Sequence, residues 1–235
     1  MSKRQELRAK RAQQERTQRI LIIAGVAVIA IALVLLIALP SIKDALQPAG
    51  AIAEHPLMNR PQVKLNGMGD PNAPVKIIEY SDFQCPYCGK FTLETEQQLI
   101  DAYIATGKVY FEYHSFGVFI GDESGRAAEA AYCAGDQNKF WEMHDVIFAN
   151  QTGENVGDFT DKRLTAFAKK LGLDLNTFND CFTSGKYADK VKQDGVDGQQ
   201  AGVKATPSFT INGTLFEGAQ PFSAFQTAID ALLKK

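Results

Sequence analysis

The sequence predicts an α/β domain with a helical insertion, standing behind one N-terminal transmembrane helix. Three observations lead there. An uncharged apolar run occupies residues 20–39, a strand-helix-strand pattern fills residues 75–113, and a long helical stretch precedes a hairpin signal at residues 208–217.

Residues 1–19 carry Lys3, Arg4, Arg8, Lys10, Arg11, Arg16 and Arg19 against only Glu6 and Glu15. The run 20–39 follows at once, and at about 1.5 Å per residue a helix of that length spans the roughly 30 Å hydrocarbon core. The basic flank makes residues 1–19 a cytoplasmic tail by the positive-inside rule, so the rest of the chain is expected outside the cytoplasm on a single-pass anchor in the cell membrane. A cleaved secretory signal is the alternative. Its small-x-small candidates, Ala49-Gly50-Ala51 and Ala51-Ile52-Ala53, lie far beyond an apolar run that is itself longer than the usual 7–15 residues, roughly. Past the tail, acids and bases are interspersed and the formal net charge is -2. No basic face is left for nucleic acid, which is not expected as a partner.

Residues 40–65 are rich in Pro, Ala and Gly without periodicity and read as a linker. The folded domain is placed at residues 66–235. Asp70-Pro71-Asn72-Ala73-Pro74 is a dense turn signal, and the β-branched run at 75–80 reads as a buried strand. Phe91, Leu93, Leu99, Ile100, Tyr103 and Ile104 recur at helical spacing up to Gly107, and residues 109–113 read as a second strand. The insertion, at about 119–201, is helical throughout, with helices expected near 124–134, 137–149, 160–171, 174–184 and 187–201. Asn212-Gly213 between two short β-rich runs suits a type I′ hairpin, and a last helix is expected over 223–233.

Cys85-Pro86-Tyr87-Cys88 sits where the first strand ends and the helix opens. Unpaired N–H groups and the positive end of the helix dipole stabilise a thiolate at Cys85 and draw its pKa from about 8.5 towards 3.5–7.5. Pro86 suits the first helical position, where a missing N–H costs nothing. Cys88, one turn inside, is the candidate to resolve a mixed disulfide formed at Cys85. Half of a zinc site or an inert disulfide are the alternatives, but no second Cys or His pair stands at matching spacing, and no metal is expected. His114 reads as a polar strand-end residue, Asp82 as solvated, and Phe83, Phe140, Trp141 and Ile147 as packing.

These features resemble the DsbA-like branch of the thioredoxin superfamily over roughly residues 69–233. The resemblance rests on the strand-Cys-Pro-Tyr-Cys-helix junction, the helical insertion, and Ala205-Thr206-Pro207-Ser208-Phe209 before the hairpin. It implies a thioredoxin-like fold and a cis peptide at Pro207, which with Thr206 lies against the redox pair and holds an extended substrate segment. A trans proline that merely begins a strand is the alternative. Thioredoxin relatives also place a partly buried acid six positions before the first cysteine, which makes Glu79 the candidate to exchange protons with Cys88. An exposed strand-end Glu is the alternative, since the burial of its face is open. Some relatives carry a second bridge in the helical region, so Cys133 and Cys181 are candidates for a structural disulfide, with two buried free thiols the alternative.

The resemblance implies a disulfide oxidoreductase with no cofactor beyond its own redox-active disulfide. Exported cysteine-containing polypeptides are its expected substrates, and a quinone-linked DsbB-like or VKOR-like membrane protein its expected redox partner. Oxidase is the preferred direction. A reductase or isomerase of the same fold, and a non-enzymatic binding or chaperone domain, stay open.

Overall fold

The computed structural model describes residues 50–54, 58–117 and 119–234, together with Ile23, Gly25 and Val26, which are helical. The expected tail and the rest of the expected anchor lie outside the described residues. Among the described residues no helix is long and apolar enough to cross a membrane.

A five-stranded sheet forms the centre. Its strands are β1 (Gly67–Met68), β2 (Val75–Ser81), β3 (Val109–Ser115), β4 (Ser208–Ile211) and β5 (Thr214–Glu217), in the order β1-β3-β2-β4-β5. β2 and β3 run parallel, and the other pairings are antiparallel. Helix α1 makes the crossover between the parallel pair, as that pairing requires. It opens as Pro86–Phe91 and continues through Thr92–Glu96, Gln97–Leu99 and Ile100–Ile104, the first and last of these being wide π-helical turns. Gly107, at φ +72°, turns the chain back into β3. The β4–β5 turn places Asn212 and Gly213 at φ +47° and +82°, the left-handed pair that a type I′ turn demands.

Alternation along β2 sends Val75, Ile77 and Glu79 to one face of the sheet, and all three are buried. On that face Phe91 packs against Phe111, Phe209 and Phe225, the last from the closing helix α7 (Phe222–Leu233). The opposite face buries Tyr80 with Phe116 and Val203. A carboxylate has thus been carried into the layer that the aromatic side chains seal.

Among the described residues five helices lie between β3 and β4, α2 (Asp122–Gly135), α3 (Phe140–Ala149), α4 (Asp161–Lys170), α5 (Leu175–Thr183) and α6 (Ala188–Gln200). Thr160 and Asp174 cap α4 and α5 by accepting from the N–H groups of Arg163 and Thr177. Cys133 on α2 and Cys181 on α5 are disulfide-bonded across a sequence separation of 48. Phe140, Trp141 and Ile147 are buried.

The segment expected as a linker is, over its described residues, fastened to the domain. Ala53 exchanges two hydrogen bonds with the Asn150 side chain at 2.8 and 3.1 Å, and Arg60 is buried in two ion pairs. Such polar anchoring carries no hydrophobic period, which is why composition alone suggested a free spacer. β1 pairs only two residues and is equally silent in the sequence.

Replacing Cys133 and Cys181 together by Ala is expected to lower unfolding stability by about 4 kcal/mol, the chain-entropy value for a loop of this length. Urea denaturation of the wild-type and doubly substituted proteins measures it, and a difference below about 1 kcal/mol would show that closing this loop contributes little.

Candidate active site

Ser81 ends β2, and Asp82, Phe83 and Gln84 carry the chain across to Cys85, whose extended backbone (φ -76°, ψ 120°) is the N-cap of α1. Pro86 is at the helix start, and its missing N–H breaks no bond. The Cys85 N–H donates to the Asp82 carbonyl at 2.9 Å, and the Cys85 carbonyl accepts from Cys88 and Gly89. One turn separates two different environments. Cys85 lies at the edge of the surface beside exposed Pro86 and Tyr87, whereas Cys88 is wholly buried. The two are unbonded thiols.

These environments split the acidities of the pair. The Cys88 thiol acts as a donor to Cys85 and is the main cause that holds Cys85 down to about 6, with the Thr206 side chain and the N–H groups of Cys88 and Tyr87 adding to it against the effect of burial. Burial pushes Cys88 well above the ordinary thiol range, and its proton is further retained by the bond to Cys85 and by the Cys85 and Glu79 charges. One proton is thus shared unequally between two sulfurs, and Cys85 is the one left as thiolate.

The peptide between Thr206 and Pro207 is cis. The Thr206 carbonyl lies 3.2 Å from Cys85 Sγ and accepts from the thiol when it is protonated. Its hydroxyl has no other partner, and it is the donor available once the sulfur is a thiolate. Thr206 therefore meets both protonation states of the nucleophile.

Glu79 lies opposite Tyr113 on β3 and Phe209 on β4, with no exposure and no ordinary hydrogen-bond partner for either oxygen. Burial first, and the nearby Glu96 charge second, push its pKa well above the usual carboxylate range, only partly offset by Ser81 and Arg60. A carboxyl so placed holds its proton more tightly than a solvated one and is chemically able to give or take a proton.

Asp82, expected to be solvated, is buried. Its carboxylate accepts from Ser124 Oγ at 2.6 Å, Gln84 N at 2.8 Å and Ile120 N at 3.2 Å. These donors come largely from α2 and the loop before it, long-range neighbours that a local reading of the approach loop could not supply. The insertion clamps the loop at further points: Gln151 donates to the Phe83 carbonyl at 2.7 Å, and the Gln84 amide bonds Ser124 and Asn155. Phe83 packs against Tyr113, His144 and Phe148. Elsewhere, His114, Asp194 and Asp197 bring possible metal-ligand atoms within 4.8 Å of one another. Asp194 there already accepts from Tyr132 and from Lys190, whose ammonium balances its charge.

The thioredoxin family model matches residues 64–231. A probable disulfide bond formation protein D of Bacillus anthracis is 34% identical over 173 residues, covering 72% of this chain and 78% of that protein. The chain belongs to the DsbA-like branch of the thioredoxin superfamily. Among solved structures, Wolbachia pipientis alpha-DsbA1 superposes with a TM-score of 0.62 at 26% identity, over 75% of this chain and 93% of that one. A Na(+)/H(+) antiporter NhaA 1 of Salinispora arenicola is 35% identical over 162 residues, or 68% of this chain. The chain spans about a quarter of the length of such antiporter relatives, 24% in this case.

In this DsbA-like domain the Cys85 acidity is directly measurable. The ultraviolet thiolate absorbance of the reduced protein is expected to titrate with a midpoint near pH 6, to vanish at that pH in Cys85→Ser, and to move upward in Thr206→Val. The folded thiol ionises below the value of about 8.5 for an unfolded cysteine. Between these limits the unfolded chain holds more protons, so the Cys85 contribution to the stability of the reduced protein rises with pH and is lost as pH falls through 6. Urea midpoints that are flat across this window would contradict it.

Proposed function

We propose that this chain is a membrane-anchored enzyme that installs disulfides in exported cysteine-containing polypeptides. The observation that carries the reading is the unequal pair itself: a Cys85 thiol held down to about 6 beside a Cys88 thiol that burial keeps protonated. In the oxidised enzyme a substrate thiolate attacks Cys85 Sγ, the Cys85–Cys88 bond breaks, and the electron pair leaves with Cys88, which takes a proton from Glu79. The second substrate thiol, as thiolate, then attacks the mixed disulfide. Oxidised substrate departs and Cys85 remains as the stabilised thiolate. Thr206 and Pro207 border this sulfur and are assigned to holding the extended substrate segment, with Pro86 and Tyr87 forming the rim.

Stabilising the reduced form makes a pair more oxidising. Thioredoxin, with a cysteine pKa of about 7, stands near -270 mV, and one further unit of acidity corresponds to roughly 30 mV. The Cys85–Cys88 couple is therefore expected above about -240 mV when equilibrated with glutathione, and a value at or below that of thioredoxin would favour the reductase reading.

Residues 20–39 are assigned as the anchor, residues 1–19 as its cytoplasmic tail, and the redox domain to the extracytoplasmic side. Tethering raises the local concentration of a membrane-embedded reoxidant, for which a quinone-linked DsbB-like or VKOR-like protein has the needed chemistry. No cofactor besides the disulfide is required by these steps. Cys85→Ser is expected to abolish oxidation of a reduced secreted protein, and Cys88→Ser to accumulate mixed disulfides through Cys85. Undiminished activity of Cys85→Ser would replace the enzyme by a binding domain.

A further inference from the structure

Two buried acids of the core, Glu96 on α1 and Asp145 on α3, are matched by a cation, since Arg60 Nη2 lies 3.0 Å from Glu96 Oε1 and 2.7 Å from Asp145 Oδ1. Asp82 is buried as deeply, and neutral donors hold it instead. Its carboxylate takes no part in the exchange steps, yet the residue touches both cysteines through its backbone. The Asp82 N–H donates to Cys88 Sγ at 3.5 Å, and the Asp82 carbonyl accepts from the Cys85 N–H at 2.9 Å.

The N–H faces sulfur because the sheet has ended. Ser81, opposite Ser115, is the last residue of β2 in register with β3, and pairing with β4 already stops at Tyr80. Asp82 lies one residue past the ladder, and its N–H turns to Cys88. The aim of that N–H is set from the insertion. Ser124 Oγ on α2 donates to Asp82 Oδ1 at 2.6 Å and accepts from Gln84 Nε2 at 2.9 Å, so its hydroxyl is engaged in both senses. The Ile120 N–H donates to Asp82 Oδ2 at 3.2 Å, and the carboxylate is thereby gripped at both oxygens. A rotation of residue 82 that swings its N–H off the sulfur must break these bonds.

We propose that Asp82 is a catalytic residue through its backbone N–H, which receives the charge developing on Cys88 Sγ, and that Ser124 is the positioning residue that aims it. This inference rests on the enzymatic reading given above. When a substrate thiolate bonds to Cys85 Sγ, the Cys85–Cys88 bond breaks and its electron pair stays on Cys88 Sγ, in a place closed to water. Charge in such a place is costly unless a donor faces it. A donor fixed before the reaction begins stabilises that charge without reorganisation. The N–H holds the departing thiolate until its proton arrives, and in the reverse step it holds the Cys88 thiolate that attacks a mixed disulfide at Cys85. Burial foremost, with Cys85 and Glu79, makes Cys88 reluctant to ionise, and the Asp82 N–H acts in the opposite sense.

The experiment uses the full chain in detergent and compares two reactions. Opening of the oxidised pair by dithiothreitol requires Cys88 to leave, whereas alkylation of the reduced pair by iodoacetamide reports on Cys85. Ser124→Ala is expected to slow the opening about tenfold and the alkylation by less than about twofold. Gln151→Ala frees the Phe83 carbonyl in the same loop while leaving the partners of the Asp82 carboxylate in place, and is expected to keep the ratio of the two rates. Equal slowing of both reactions by Ser124→Ala, slowing of neither, or the same change of ratio in Gln151→Ala would overturn the proposal. A second measurement needs neither variant. In Cys85→Ala the Asp82 amide proton resonance is expected to move downfield with the midpoint at which the ultraviolet absorbance of the Cys88 thiolate appears, and an amide indifferent to that ionisation would equally overturn it. Should dithiothreitol find no Cys85–Cys88 disulfide to open in the unaltered chain, the enzymatic reading fails first. The amide titration then decides the role of the N–H by itself.

Discussion

Cys85 and Cys88 are separated by one helical turn, and that turn crosses from the rim of the molecule to its dry interior. Cys85 receives the N–H groups of a helix start, while Cys88 is enclosed and keeps its proton. The rest of the site follows from this gradient. A strand must end at Ser81 so that the helix can begin, Pro86 must tolerate the first helical position, and the segment bearing Thr206 must close over the outer sulfur. A sulfur that ionises readily at the rim and one that does not beneath it give the pair two unequal proton affinities.

Holding that gradient requires a rigid approach loop, and the helical insertion supplies it. Asp82, Phe83 and Gln84 have no regular strand or helix to order them, so their polar atoms are taken up by Ser124, Gln151 and Asn155 from distant parts of the chain. The Phe83 ring seats among Tyr113, His144 and Phe148. The Cys133–Cys181 bridge ties α2, which carries Ser124, to α5. Insertion and active loop are therefore one mechanical unit: loosening α2 would release the carboxylate bonds that place Cys85 at the end of its strand.

Much of this was legible in the sequence because it is written in short-range signals. The strand-cysteine-proline-helix junction, the helical periods of the insertion and the Asn212-Gly213 turn each need only neighbouring residues to be recognised. The partners of Asp82 and the burial of Arg60 are long-range, polar and aperiodic, and no hydrophobic pattern announces them. Arg60 lies in a Pro- and Gly-containing stretch with the composition of a spacer. Glu96 left a faint mark, being a charged residue on the α1 stripe that also carries Thr92, Leu99, Ile100 and Tyr103. A lone charge on an apolar stripe is informative only when its counter-ion is known, and here the counter-ion sits 36 residues upstream.

That counter-ion bears on why the polar chamber persists at all. A buried ion pair is a poor source of stability, because desolvating two charges costs about as much as their attraction returns, and apolar replacements of similar volume are often neutral or better. The Arg60 set adds to that cost by leaving Glu96 Oε2, His144 Nε2 and the Trp141 indole N–H without partners in the same region as Glu79. Aromatic rings already fill the surrounding core and could close the space with aliphatic neighbours. Stability therefore does not by itself account for three buried acids and one arginine in this part of the core. Cys88 can change its protonation state out of reach of bulk water only if a group of comparable proton affinity lies beside it, and an ordinary solvated carboxyl is too acidic for that role. Burial first and Glu96 second both raise the proton affinity of Glu79, so the energetic weakness of the chamber and the reluctance of its carboxyl to ionise share one physical origin, the exclusion of water.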